Sequence, residues 1–499
     1  MATKTSKKLK LTVEQTAIKN ALQKTGDNII VMARAGVGKS STLVEIAPRG
    51  SVILCFNKQP ALEMQEKLGA GRVASTFHSY GLNMMPKGSW VDKSGYQMRE
   101  RIKKVCFRGQ DPTHPEQWTL LKSVEQSVSW LKTMATMPGE SLEVIKQVLT
   151  DERLTLDVSI DEVVEPAHKV LELCAQKVKG KFGEGYACSY DDMQWLPFVL
   201  GLGKQSVDTL FVDEAQDLNP IRMALALQWG QRIVAVGDDK QAIYAFNGSM
   251  SDSLSIFQEK TQAVSLPLTV CWRCPSSHLD KARELVPDIQ DRPNCPVGEI
   301  IDADCIDYDK YTDDGVLIMC RTNAPLIRQY LNLRREQKEQ GGNDIVFFAS
   351  EGIATTLKNL MGWKKQQSLD GEWRMKFVEK IDKLSSKTKN ATMQGVYADY
   401  KDIGLEIADS GQFNTLGEVH AFLDEEFKKP DLKDLAENTI MLSSIHSSKG
   451  LEHNNTVVFG TSQLPHPKAI LAWEKEQERN LEYVALTRAK QSMTLIPEC

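Results

Sequence analysis

The 499-residue chain holds no run approaching the ~18–20 apolar residues of a membrane-spanning helix. Neither sign of charge prevails: 61 Lys and Arg against 66 Asp and Glu leave a net charge of −5. That speaks against a protein coated in nucleic acid, but leaves room for a local basic groove. The N-terminal MATKTSKKLKLTVEQ is basic and no apolar core follows it, so it is not read as a secretory signal. Its run Lys4–Lys10 reads as a solvated arm that adds some nonspecific attraction for phosphate. Cysteine is sparse: ten are scattered through a long chain, which predicts reduced thiols in a cytosolic protein and no disulfide framework. Repeats and long low-complexity segments are absent too. What remains is 41% apolar and 25% charged, an ordinary soluble composition with room for roughly three domains.

The chain alternates strand and helix signals. A helical pattern over Leu11–Leu22 precedes apolar strands at Asn28–Ala33 and Ser51–Phe56, with an amphipathic helix at Ala61–Leu68. Strand signals return at Val207–Asp213, Arg232–Gly237, Gly315–Cys320, Thr439–Ser443 and Thr456–Gly460. Such alternation predicts an α/β fold with parallel sheets. Two stretches break it. Residues 85–200 carry helical runs at Trp118–Met134 and Ile160–Val178, with a Gly-rich turn at Gly180–Gly185. Residues 361–437 are polar, charged and largely helical. The expected organisation is a first core (1–84 and 201–262) interrupted by 85–200, then a second core (263–360 and 438–499) interrupted by 361–437.

Ala33-Arg-Ala-Gly36-Val-Gly38-Lys39-Ser40 lies between a strand and a helix start, the context a phosphate loop needs. Small residues let backbone N–H groups approach phosphates; Lys39 would reach the β- and γ-phosphates and Ser40 would sit on Mg²⁺. Ala33 stands at the first position in place of Gly. A chance Gly-Lys-Ser turn is the alternative, and the flanking strand and helix argue against it. Asp213 and Glu214 end an apolar strand, where Asp213 would hold Mg²⁺ and Glu214 would orient or deprotonate the attacking water. Arg273 and Arg488 are the candidates for stabilising charge on a transferring phosphoryl group, although a surface ion pair is the commoner fate of a single arginine.

Taken in order, these motifs resemble the superfamily 1 DNA helicases of the UvrD/Rep type, and the match runs through nearly the whole chain. Leu11-Thr-Val-Glu-Gln15 looks like the adenine-reading segment, with Gln15 as reader. Ser75-Thr76-Phe77-His78-Ser79 resembles a motif that contacts single-stranded DNA. Gly237-Asp-Asp-Lys-Gln241-Ala-Ile-Tyr244-Ala-Phe246-Asn247-Gly248 looks like the segment coupling ATP to DNA, with Gln241 toward the γ-phosphate and Tyr244 and Phe246 toward the DNA. Trp272 and Arg273 match an aromatic–arginine pair that stacks on adenine and reaches the γ-phosphate. Ile445-His446-Ser-Ser-Lys449-Gly450-Leu451-Glu452 resembles the HxxKGLE motif, Glu452 toward the ribose and His446 and Lys449 toward DNA. Tyr483–Arg488, YVALTR, supplies Arg488 as arginine finger.

The resemblance implies two RecA-like P-loop NTPase cores, ATP and Mg²⁺ as cofactors with the nucleotide served by both cores, and 3′→5′ movement on single-stranded DNA and at its junctions with duplex. It also implies a role in repair, replication or recombination, action as a monomer, and a cytoplasmic location. Phe77, Tyr244 and Phe246 are the stacking candidates, with core packing as the alternative for each.

Departures are specific. Asn247 stands where the family carries Arg, and His453 where an aromatic is usual. The compact Cys55-Phe-Asn-Lys-Gln-Pro-Ala-Leu-Glu63-Met64 looks closer to the F-box helicase branch and to some viral members. Asn247 also keeps open a protein that holds DNA under ATP control without unwinding it. A helicase–nuclease is not expected, since 11 residues follow Arg488. Cys271-x-x-Cys274 invites a metal or redox reading, but Cys295 and Cys305 fit no zinc spacing and the helicase motif already accounts for Trp272 and Arg273, so structural thiols are expected.

Overall fold

Apolar runs without polar alternation build two large sheets, and every strand pairing in both is parallel, as expected of strands buried on both faces. The structure is a computed structural model. It describes all residues except 1–10, 152, 155, 181–182, 245–247, 249–251, 349–351, 388–390, 428–429, 431, 468 and 499; Phe246 and Asn247 therefore lie outside the described residues. Two units emerge: Met1–Arg34 with Gly38–Thr269, and Ala35–Val37 with Val270–Cys499.

The first unit holds a six-stranded sheet in the order Val264–Leu268, Ile29–Ala33, Gly230–Gly237, Val207–Val212, Val52–Cys55, Val73–Thr76. Register runs Ile29 to Val264, Ile29 to Val234, Phe211 to Val234, Val52 to Leu210 and Val52 to Val73. Between the edge strand Val73–Thr76 and the interior strand Val207–Val212 the chain makes its helical excursion. Helices Tyr96–Cys106, Pro115–Thr133, Leu142–Leu149, Ile160–Cys174 and Asp192–Val199 share one core with the sheet. Lys132 and Asp192, both without solvent exposure, pair at 2.7 Å and tie two of these helices together.

The second unit repeats the plan. Its sheet runs Glu299–Asp302, Ala489–Ile496, His453–Phe459, Val316–Cys320, Ile440–Ser444, Ile345–Phe348. Again the excursion follows the far edge strand, here Ile345–Phe348, and includes helices Gly371–Lys387, Ala391–Asp409 and Leu416–Glu426.

One expectation needs correction. Val264–Leu268, assigned above with the second core, is an edge strand of the first sheet, hydrogen-bonded along Ile29–Ala33. Pro267 hides it from a sequence reading: proline is confined to sheet edges, and this strand is one. The second unit resumes at Val270.

Candidate nucleotide and DNA sites

Three adjacent strands of the first sheet, Ile29–Ala33, Gly230–Gly237 and Val207–Val212, end side by side, and ligands of open parallel sheets sit at such carboxyl ends. From the first end the chain turns through Gly38, whose φ of 78° is left-handed, into helix Lys39–Ile46. No side chain caps that helix, so its first N–H groups remain for a ligand. Ala33 is the strand's last residue and Ser40, exposed, is the helix's second.

Lys39 Nζ lies 2.9 Å from the Glu214 carboxylate. Burial works against the charge on Lys39, but Glu214, Asp213 and Asp238 outweigh it and hold its pKa above the ordinary value. Asp213, 5% exposed, follows its strand directly and accepts the Glu214 N–H at 3.1 Å. Glu214 adopts φ 51°, ψ 46°, a left-handed conformation unusual outside glycine and typical of sites where geometry is held for function. From the third strand end, Asp238 accepts from Gln241 Nε2 at 2.7 Å and from Arg34 Nη1 at 3.0 Å, and its N–H donates to Gln216 Oε1 at 3.0 Å. Burial pushes the Asp238 carboxyl up, against the pull of Lys39 and Arg34. A Cβ at Gly237 would stand 2.5 Å from Gln216 Oε1 and push that oxygen off the Asp238 N–H. Lys39, Asp213, Glu214 and Gln241 thus fall in one cluster. Its organisers, Arg34, Gln216 and Asp238, were not among the residues expected from sequence, although Arg34 and Asp238 sit inside quoted motifs and Gln216 follows Glu214 by two residues.

Gln15 occupies the first turn of helix Val13–Lys24. Its Oε1 accepts the Thr12 N–H at 3.0 Å, and its Nε2 donates to Thr42 Oγ1, on the phosphate-loop helix, at 2.8 Å.

Of the DNA candidates in this unit, Thr76 caps helix Phe77–Met84 by accepting the Ser79 N–H at 3.2 Å. Phe77 must be corrected. It is 2% exposed and stacked on Trp229, so its ring is core and presents no face to a base. His78 lies beneath Tyr190, ring centroids 4.0 Å apart, with its Nε2 2.7 Å from Gln194 Nε2. Burial and Arg222 lower the His78 pKa to about 3, so the ring is neutral. Tyr190 is 66% exposed and was passed over, because it belongs to no motif quoted above. Tyr244 stacks on Phe56 at 5.7 Å, and the Arg222 guanidinium covers Phe56 at 4.3 Å.

In the second unit, Trp272 is 46% exposed. Arg273 donates from Nε to Glu452 at 2.6 Å and from Nη1 to the Thr487 carbonyl at 3.0 Å. Glu452 also pairs with Lys490 at 2.8 Å; burial opposes its charge, yet Arg273 and Lys490 hold its carboxyl down at about 2. Arg488, 2% exposed, donates to the Val484 and Leu451 carbonyls at 2.8 and 3.3 Å and to Thr487 Oγ1 at 3.0 Å. Burial and the neighbouring Arg273 lower its pKa to about 10. Tyr483 Oη accepts the Ala35 N–H at 3.0 Å, and Gly36 (φ 67°) approaches so closely that a Cβ would meet Arg273 Cβ and Cys271 Sγ, each at 2.7 Å. His446 is half-buried near Arg321, which chelates Glu478, and desolvation and that charge lower its pKa to about 3. Lys449 lies three residues on, partly exposed, in the turn before Gly450.

Residues 14–262 match the model of the UvrD/REP helicase N-terminal domain, and residues 278–498 that of the UvrD-like helicase C-terminal domain. The chain belongs to the UvrD/Rep helicase family. Among curated members, F-box DNA helicase 1 of Gallus gallus is 22% identical over 98% of this chain and 49% of its own length. The putative ATP-dependent DNA helicase YjcD of Bacillus subtilis is 21% identical over 95% of this chain and 77% of its own. DNA helicase II of Salmonella typhimurium is 23% identical over 94% and 82%. This UvrD/Rep family chain spans about half the length of the chicken protein. No helix among its described residues is long and apolar enough to cross a membrane.

Proposed function

We propose that the chain is an ATP-driven helicase that moves 3′→5′ on single-stranded DNA and opens duplex at the junction. The Lys39–Glu214 ion pair, set among Asp213, Asp238 and Gln241, supports the ATP half most strongly. The β- and γ-phosphates would take over Lys39, releasing Glu214 to accept the proton of the attacking water. Gln241, held by Asp238, would register the γ-phosphate. The Ser40 hydroxyl and the Asp213 carboxylate form an oxygen set that fits Mg²⁺. When bound, Mg²⁺ would neutralise charge on the phosphate oxygens.

Both candidate arginines, Arg273 and Arg488, belong to the second unit. Arg488 is a buried guanidinium whose hydrogen bonds go to carbonyls and a hydroxyl, beside a second arginine. An anion relieves such a pair, and a γ-phosphate gaining charge in the transition state relieves it most. The exposed Trp272 ring would stack on adenine. Glu452 would face the ribose and Gln15 the adenine edge; the Gln15 amide keeps one hydrogen beyond its bond to Thr42.

Tyr190 over His78, and Tyr244 over Phe56, offer ring faces for bases, and Thr76, His446 and Lys449 polar groups for the backbone. DNA binding would then be indifferent to base sequence. We place the protein in DNA repair, replication or recombination, acting as a monomer in the cytoplasm. Strand displacement on 3′-tailed and 5′-tailed duplexes tests the reading. ATP-dependent unwinding of the 3′-tailed substrate is expected, and unwinding of neither would overturn it.

A further inference from the structure

The Cys-Trp-Arg-Cys segment brackets the two residues given a nucleotide role above. Cys271 ends the short strand Val270–Cys271, and Cys274 precedes Pro275 and helix Ser276–Arg283. The Cys274 N–H donates to Cys271 Sγ at 3.4 Å, and the Cys274 thiol donates to the Thr487 carbonyl at 3.5 Å. That same carbonyl accepts from Arg273 Nη1 at 3.0 Å. Both sulfurs are buried in a cluster with Ala35, Leu279 and Tyr483. Cys271 Sγ lies directly under Gly36. All the cysteines among the described residues are thiols.

We infer that Cys271 and Cys274 form a redox switch on the ATPase: a hydroperoxide converts them to a disulfide that closes a ring over Trp272 and Arg273 and stops ATP turnover. The inference rests on the nucleotide role proposed for those two residues.

The two sulfurs are unlike. The Cys274 thiol, the N–H groups of Cys274 and Arg273 and the Arg273 charge favour the Cys271 thiolate over the opposing effect of burial. Cys274 is held protonated by its bond to Cys271 and by burial. Cys271 is therefore the attacking sulfur and Cys274 the resolving one. Burial of both selects a small oxidant. The Cys271 thiolate attacks one oxygen of hydrogen peroxide; the O–O bond breaks, Cys271 becomes a sulfenic acid, and the hydroxide released takes up a proton to leave as water. The Cys274 sulfur then attacks the Cys271 sulfur. The S–O bond breaks, and the hydroxyl departs with the Cys274 proton as a second water. Two thiols have lost two electrons, and the peroxide has been reduced to two waters. Cys274 can then no longer donate to Thr487, and the turn carrying Trp272 and Arg273 is locked.

The test uses the full chain, first reduced with dithiothreitol and desalted, then treated with hydrogen peroxide. Peptide mapping by mass spectrometry should find Cys271 joined to Cys274, with the mass short by two hydrogens. ATP hydrolysis should fall roughly tenfold or more, in keeping with loss of a transition-state arginine, and return in dithiothreitol. Cys271→Ser, which lacks the attacking sulfur, should resist the treatment; Cys274→Ser should form no cross-link, and dithiothreitol-reversible loss confined to wild type is read there if Cys271→Ser folds poorly. Peroxide-treated wild type without the cross-link, or cross-linked with undiminished turnover, overturns the inference. Equal loss in wild type and in Cys271→Ser overturns it as well. Reduced wild type that hydrolyses no ATP would instead sink the helicase reading, while the peptide map still decides the sulfur chemistry.

Discussion

Lys39 Nζ stands 2.9 Å from the Glu214 carboxylate, so the cation of the phosphate loop rests on the proposed base. Substrate must separate them before either can act. Lys39→Ala should abolish ATP hydrolysis. Glu214→Gln should keep nucleotide binding while turnover falls ~10²–10⁴-fold. Phosphate release and binding of a fluorescent ATP analogue measure the two; a Gln variant with wild-type turnover would remove Glu214 from the mechanism.

Arg488 holds backbone carbonyls in place and is the proposed arginine finger. Arg488→Ala should lower ATP turnover by ~10³-fold or more. It also strips the Val484 and Leu451 carbonyls of a donor, at a cost of about 1–3 kcal/mol. Arg488→Lys separates the effects: it should recover most of the melting temperature and little of the turnover. Full turnover in the lysine variant would rule out an arginine finger at this position.

Tyr190→Ala should weaken single-stranded DNA binding by ~1–3 kcal/mol without moving the melting temperature, because the ring is largely exposed. Phe77→Ala should do the reverse, losing ~3–5 kcal/mol of stability through a core cavity. Fluorescence anisotropy and thermal melts on both variants decide it. Wild-type affinity in Tyr190→Ala takes that ring off the DNA path. Affinity for wild-type protein should fall steeply with salt and ignore base sequence.

Stability should decline in mild acid. His78 and His446 each have a folded pKa of about 3, below the ~6.5 of the unfolded chain. Folding is favoured fully above the unfolded value. Below it the unfolded state takes up protons that the folded state refuses, so stability is lost as pH falls from about 6.5 toward 3. Melting temperatures between pH 7.5 and pH 5, chosen from that window, should drop, and His78→Asn should flatten the slope. Identical slopes would mean that His78 is accessible to protons in the fold.

The interior strands were legible because burial on both faces demands unbroken apolar runs, as at Ile29–Ala33, Val207–Val212 and Val316–Cys320. Strands missed included the edges Val73–Thr76, Val264–Leu268 and Glu299–Asp302, where exposed positions dilute the signal, and the short edge Ile345–Phe348, which is apolar and largely buried. Ala489–Ile496 was missed because Lys490, Gln491 and Ser492 open an interior strand with polar residues. At the site, the phosphate-loop pattern announced Lys39, and acidic residues at a strand end announced Asp213 and Glu214. Phe77 misled, since a motif gives an aromatic's place in the chain but not which side of the helix it faces. Tyr190 carried no sequence signal; only its exposure and its ring contact with His78 reveal it.

The order of the first sheet sets a schedule for its making. Ile29–Ala33 and Val52–Cys55 are synthesised early, yet they are not neighbours; Gly230–Gly237 and Val207–Val212 stand between them. Val52–Cys55 pairs early with Val73–Thr76, but its other edge stays open until Val207–Val212 emerges, and Ile29–Ala33 waits longer still for Gly230–Gly237; the delay is on the order of ten seconds or more at ribosomal speed. During that delay their apolar faces and unpaired edges are open to other chains. A nascent polypeptide of this design calls for a holding chaperone, or for the helical excursion to fold first and shelter them.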